Sequence, residues 1–69
     1  MSIHIEVNGD PKTLDQPPYS LAEALAHWGY AGAPIAVAHN EEFVPRSRYA
    51  SLQLQEGDRL EIVAPMQGG

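Results

Sequence analysis

Sixty-nine residues without a single cysteine leave this chain one way to hold itself together. At this size folding buries only about 60% of the surface that the unfolded chain exposes, and small folds commonly add disulfides or a metal as staples. No disulfide can form here, and His4, His27 and His39 are too scattered to make a ligand set. Stability is therefore expected from a sheet packed on a helix within one domain. The missing thiol also excludes a cysteine nucleophile, a thiolate zinc site and a persulfide carried by this chain.

The elements follow from period. Ile3, Ile5 and Val7 alternate with His4, Glu6 and Asn8, which puts three β-branched residues on one face of a strand. Asn8-Gly9-Asp10 supplies a turn, because Asn and Gly tolerate positive φ. A second strand runs through Thr13 and Leu14, with Pro11 suited to a strand start or an edge, and Pro17-Pro18 ends it. Ser20-Leu21-Ala22-Glu23 reads as a capping box, with Tyr19 and Ala24 placed for a hydrophobic staple. Leu21, Ala24, Leu25 and Trp28 then form one apolar stripe of a helix closed by Gly29, with Trp28 a half-buried lid on the core.

Ile35-Ala36-Val37-Ala38 suits a central strand, His39 to Glu42 a turn, and Phe43-Val44-Pro45-Arg46 a short edge strand. Ser47 to Leu54 connects, with Leu52 and Leu54 pointing inward, and Glu56-Gly57-Asp58 turns again. Leu60, Ile62 and Ala64 alternate with Arg59, Glu61 and Val63 in the last strand. The order strand, strand, helix, strand, short strand, strand predicts an α+β fold of the β-grasp, ubiquitin-like kind. Its sheet is mixed, four- to five-stranded, with one main helix across it and the first and last strands as parallel central neighbours. Residues 1–65 form that domain, and 66–69 a flexible tail.

Charge narrows the partners. The net charge is −5, and the only cations are Lys12, Arg46, Arg48 and Arg59, so a basic patch for nucleic acid is missing. Glu41 and Glu42 are a solvated turn rather than an acid and base pair, since adjacent residues of a strand face opposite ways. The opening residues carry no basic region and apolar stretch of a signal peptide, and no apolar run approaches the roughly 20 residues that span a bilayer. A soluble, cytoplasmic protein, monomeric when free, is the expectation.

The chain ends Met66-Gln67-Gly68-Gly69. Two glycines without Cβ atoms can enter a slot that rejects any side chain, and Met66 to Gly69 can extend about 13 Å at roughly 3.3 Å per residue. The terminal carboxylate of Gly69 is ionised at neutral pH, an unperturbed α-carboxyl titrating near about 3.5. It is a candidate reactive group; a frayed, small-residue terminus without chemistry is the other reading.

Four stretches, taken in order, resemble the ThiS family of bacterial sulfur carriers in thiamine biosynthesis along essentially the whole chain. They are Ile5-Glu6-Val7-Asn8-Gly9, Val37-Ala38-His39-Asn40 running into Val44-Pro45-Arg46-Ser47, Glu56-Gly57-Asp58-Arg59-Leu60-Glu61-Ile62-Val63, and terminal Gly68-Gly69. The resemblance implies that a ThiF- or MoeB-type enzyme uses ATP to adenylate the Gly69 carboxylate. A sulfur donor, a persulfide on a partner, then displaces the adenylate. The resulting thiocarboxylate would feed thiazole synthase (ThiG). On this reading the chain is a cosubstrate without catalytic residues, and no cofactor or metal stays bound, ATP and any metal belonging to the activating partner. Gly68, Gln67 and Met66 would be read by that partner, and Val63, Pro65, Phe43 and Arg46 are candidate docking residues. For Phe43 and Val63 the alternative is that they cover part of the core; for Arg46, a solvated or locally paired guanidinium.

Two rivals share the Gly-Gly tail: a carrier like the small subunit of molybdopterin synthase, and a ubiquitin-like modifier joined to lysines. A third reading is a non-covalent binding module of the same fold. An activated acyl group would be captured by a nearby amine or thiol, and the single lysine, Lys12, lies in the early hairpin.

Overall fold

The computed structural model describes residues 2–17 and 19–64. The strands are β1 (Ile3–Val7), β2 (Asp10–Leu14), β3 (Ala36–His39), β4 (Glu42–Val44) and β5 (Arg59–Val63), with one helix, α1 (Leu21–His27). They form one sheet in the order β2-β1-β5-β3-β4. β1 and β5 run parallel beside each other and the remaining neighbours are antiparallel, as expected from the element order. Pro11 lies within β2, on the outer edge where a missing N–H costs no ladder bond.

Alternation decides the two faces. Ile5, Val7, Val37, Val44, Leu60 and Ile62 are buried against Leu21, Ala24 and Leu25 of α1, with Leu14 and Leu54 closing the ends. Trp28 packs half-buried on this core, as the stripe predicts. At the helix start the Ser20 hydroxyl accepts from the Glu23 amide at 3.2 Å. At the helix end Gly29 (φ 89°) lets its own N–H reach the Ala26 carbonyl and the Tyr30 N–H reach that of Leu25, the paired bonds of a Schellman motif.

The loop after β4 is ordered by the helix. Arg46–Arg48 forms a 3-10 turn, and the carbonyls of Leu52 and Tyr49 accept from the Leu21 and Ala22 amides, N–H groups that a helix cannot satisfy itself. Several bounds differ from expectation. Asp10, His39 and Glu42, read as turn residues, belong to β2, β3 and β4; the strand read from Ile35 starts at Ala36, β4 stops at Val44, and Ala64 is exposed beyond the end of β5 instead of facing the core. In the last case the partner strand β3 pairs only as far as Ala36 with Val63, so among the described residues no strand pairing extends to the next inward position.

Candidate functional site

Strand β5 carries the chain toward the Gly-Gly segment. Pro65, Met66, Gln67, Gly68 and Gly69 lie outside the described residues, as does Pro18. The described part of the site is the frame that aims β5 and the surface beside its end.

Two asparagines hold the strand. Asn8 follows β1 with φ 53°, and its side chain acts as a surrogate strand residue: Oδ1 accepts from the Ile62 N–H at 2.8 Å and Nδ2 donates to the Ile62 carbonyl at 3.1 Å. The Asn8 N–H donates to Leu60 at 2.9 Å, so the pairing of β1 with β5 continues past the last regular residue of β1. Asn40 does the same at the other end, its Oδ1 accepting from the Arg59 N–H at 2.9 Å while its own N–H donates to the Arg59 carbonyl at 2.8 Å.

Asp58 joins this second clamp. One carboxylate oxygen lies 2.8 Å from Nε2 of His39 and accepts the Gln55 N–H at 2.9 Å; the other accepts from Asn40 at 3.2 Å. Its side chain is largely covered. Burial pushes its pKa up, but the bonds from His39, the Gln55 amide and Asn40 outweigh that and hold it below the ordinary value. At the surface, the His4 backbone amide, followed by its ring, holds Glu56 low in the same direction.

The face of the sheet opposite α1 is open. Phe43 is 71% and Val63 62% exposed, so neither covers the core. The pairs Ala38 with Phe43 and Ala36 with Val63 put them on one face, joined through the small side chains of β3 into an apolar strip. Glu61, paired with Ala38, and Glu6, paired with Arg59, border it with acid. Arg46 is not part of this face. Its guanidinium donates to the Ala33 carbonyl at 3.4 Å, the locally paired alternative, because the chain turns toward the helix layer after β4. Lys12 is exposed on β2, separated from β5 by β1.

Glu41 and Glu42 are both exposed, but only Glu41 lies in the turn; Glu42, read as part of it, is the first residue of β4, paired with His39. Among the described residues no three His, Cys, Asp or Glu side chains are grouped to hold a metal ion, and no helix is long and apolar enough to cross a membrane. Sequence reasoning assigns Asn8, His39, Asn40 and Asp58 to turns and stops there. The available signal is an Asn where Gly would be easier: a side-chain amide at positive φ can bond the N–H and C=O that a neighbouring strand presents on one edge.

A mixed sheet with parallel first and last strands at its middle and one helix across it is a β-grasp fold. Among the described residues Phe43 and Val63 are the exposed large hydrophobics, and their strip lies beside the end of β5. The chain belongs to the ThiS family, whose model matches residues 4–69. It is similar to the crystal structure of a thiamine biosynthesis protein (ThiS) from Geobacter metallireducens, with a TM-score of 0.81 and 29% identity, covering 97% of this chain and all of that one. It is also 35% identical over 63 residues to a thiazole synthase of Paramagnetospirillum magneticum, covering 91% of this chain and 19% of that protein. A thiazole synthase of Magnetococcus marinus is 35% identical over 69 residues, covering 100% of this chain and 20% of that protein. The chain thus spans about a fifth of the length of these two relatives.

Proposed function

We propose that this protein is a sulfur carrier of thiamine biosynthesis, with the carboxylate of Gly69 as the group that carries sulfur. The observation that supports this most is the family match, which runs through the whole β-grasp domain to residue 69. Relatives named for thiamine biosynthesis and for thiazole synthase point the same way. They favour the thiazole pathway over a molybdopterin-type carrier or a binding module.

A carboxylate resists substitution because its leaving group would be an oxide. Attack of a Gly69 oxygen on the α-phosphorus of ATP expels pyrophosphate and leaves an acyl-adenylate, whose leaving group is AMP. The terminal sulfur of a donor persulfide attacks the acyl carbon and expels AMP, giving an acyl disulfide. A second thiol of the donor side cleaves its S–S bond, becoming half of a new disulfide and releasing the thiocarboxylate. The chain supplies no base and no phosphate-binding loop to these steps and is a cosubstrate, not an enzyme. ATP and any metal reside on a ThiF- or MoeB-type partner, and thiazole synthase takes the sulfur.

In this reading residues 66–69 act as a tail on a domain ending near residue 65. Gly68, Gln67 and Met66 thread the partner's active site, where glycine is the residue that fits a narrow slot. Phe43 and Val63, with Pro65, seat the domain through the open face. The clamp of Asn8 on Ile62 fixes the direction in which the chain leaves the sheet.

The test is intact-protein mass spectrometry after incubation with ATP, sulfide and a ThiF-type enzyme. The expected product has one oxygen replaced by sulfur and is absent when Gly69 is deleted. An unchanged mass, with an enzyme active on its own carrier, would overturn the proposal.

A further inference from the structure

On the helix side, away from the open face, a groove of about 360 Å³ runs between the end of α1 and the 3-10 turn. Leu25, Tyr30, Ile35 and Tyr49 form its apolar walls, and Arg46 stands among the lining residues. The volume falls within the roughly 300–1,000 Å³ of ligand-binding clefts. The walls are held in place. Tyr30 is fixed by the Schellman bond from its N–H to Leu25 at 2.8 Å, Ala33 by its bond to the Tyr30 carbonyl at 2.9 Å, and Tyr49 by accepting the Ala22 amide at 2.9 Å. Those bonds fix the backbone, and the side chains of Tyr30, Ile35 and Tyr49 pack half-buried against the core; side chains already held this way lose little freedom when a partner covers them.

Charge marks this groove off from the rest of the molecule. The chain has nine acids and four Lys or Arg residues, yet no lining residue of the groove is acidic. Arg46 is its cation, and Arg48 lies on the same turn. Among the described residues Arg59 pairs with Glu41, while Arg46 has the Ala33 carbonyl at 3.4 Å and no carboxylate. A guanidinium with a single N–H on one long carbonyl contact retains capacity for a bidentate carboxylate.

We infer that this groove docks an extended acidic segment of a partner protein, one bulky apolar side chain entering between Tyr30 and Tyr49 and an adjacent carboxylate pairing with Arg46. A net charge of −5 disfavours an acidic segment over the chain as a whole, and this groove, with Arg46 and no acid in its lining, is where complementarity favours one. The groove lies on the opposite side of the sheet from Phe43 and Val63, and the two surfaces can be occupied together. The inference is independent of sulfur transfer.

The test is an amide-shift titration of the ¹⁵N-labelled chain with a blocked pentapeptide, acetyl-Gly-Glu-Phe-Glu-Gly-amide, and with its counterpart carrying Gln for both Glu residues. Shifts are expected at Tyr30, Ile35, Arg46 and Tyr49. Affinity should fall at least 10-fold for the Gln peptide and for Arg46→Glu. Lys12→Glu changes net charge by the same amount on the far edge of the sheet and should weaken binding by less than 2-fold. Dispersed amide spectra of both variants establish that they fold. No shifts at millimolar peptide, shifts on the open face at Ala36 and Val63, or equal weakening by the two variants would each overturn the inference.

Discussion

The side-chain amide of Asn8 bonds both backbone groups of Ile62, N–H to Oδ1 at 2.8 Å and C=O to Nδ2 at 3.1 Å, although 54 residues separate them in the chain. One residue thereby ties the first hairpin to the last strand, β5. Asn8→Ala leaves a backbone donor and acceptor of β5 without their partners, and a cost of about 1–3 kcal/mol is expected. Hydrogen exchange checks it: the Ile62 amide should exchange faster than in the parent by more than the global loss of stability explains. Equal changes throughout the sheet would mean that Asn8 acts as a turn residue alone.

Asp58 gives stability a defined pH dependence. Its pKa is lowered on folding, and the unfolded value is about 3.9. Its stabilising contribution is complete above the unfolded value and is lost as pH falls through the folded one, because the unfolded chain then binds the proton more readily. Asp58→Asn should flatten the decline of urea stability below about pH 4 and cost about 1 kcal/mol at pH 7 through weakened bonds to His39 and Gln55. Glu56 carries the same sign, so Glu56→Gln is the control for the assignment. An unchanged acid limb in Asp58→Asn would show that another carboxylate governs it.

The β3–β4 turn contains strain that can be relieved. Asn40 and Glu41 both have positive φ, 49° and 73°, as a type I′ turn requires, and the second position favours glycine. Glu41→Gly should raise stability by about 0.5–1 kcal/mol, the relief of strain exceeding the added unfolded-state freedom. The exposed pair of Glu41 with Arg59 at 3.7 Å adds little to the other side. Urea midpoints measure the balance, and a lower midpoint would refute it.

Phe43 and Val63 separate docking from folding. Since both are largely exposed, Phe43→Ser and Val63→Ser should change stability by no more than about 0.5 kcal/mol. Each should raise the KM of the ThiF-type enzyme for the carrier at least 10-fold if the open face seats that partner. An unchanged KM with an unchanged midpoint would remove the open face from the docking surface.

Deleting Gly68 and Gly69 should abolish thiocarboxylate formation and leave the urea transition within about 0.5 kcal/mol of the parent. Retained sulfur transfer would refute the role of Gly69, and a lost transition would show that the tail belongs to the fold. Leu21→Ala is the contrasting case. Leu21 is fully buried, and a loss of about 2–5 kcal/mol is a large share of the roughly 3–10 kcal/mol available to a domain of this length.

Helix α1 is legible in the chain because all of its signals are local: a Ser20 cap, a stripe at Leu21, Ala24 and Leu25, and Gly29 where the backbone must turn left-handed. The core faces of β1 and β5 are legible for the same reason, since a period of two assigns each residue a side whatever strand lies next to it. The connection 47–54 carries no period, and its order comes from carbonyls given to the helix start. Ala64 keeps the inward phase of Leu60 and Ile62 yet is exposed, because burial depends on a covering element as well as on phase.

The candidate site divides along the same line. Chain order alone puts Gly68 beside Gly69 and sets the net charge of −5, because these are properties of composition and covalent position. Tertiary structure alone brings Asn8 to Ile62, His39 and Asn40 to Asp58, and Phe43 to the same face as Val63, and it turns Arg46 away to the groove beside Tyr30. Those relationships join residues far apart in the chain. They arise from strand register and from loop backbone seeking partners for its polar groups, and neither is written in the local pattern of any one segment.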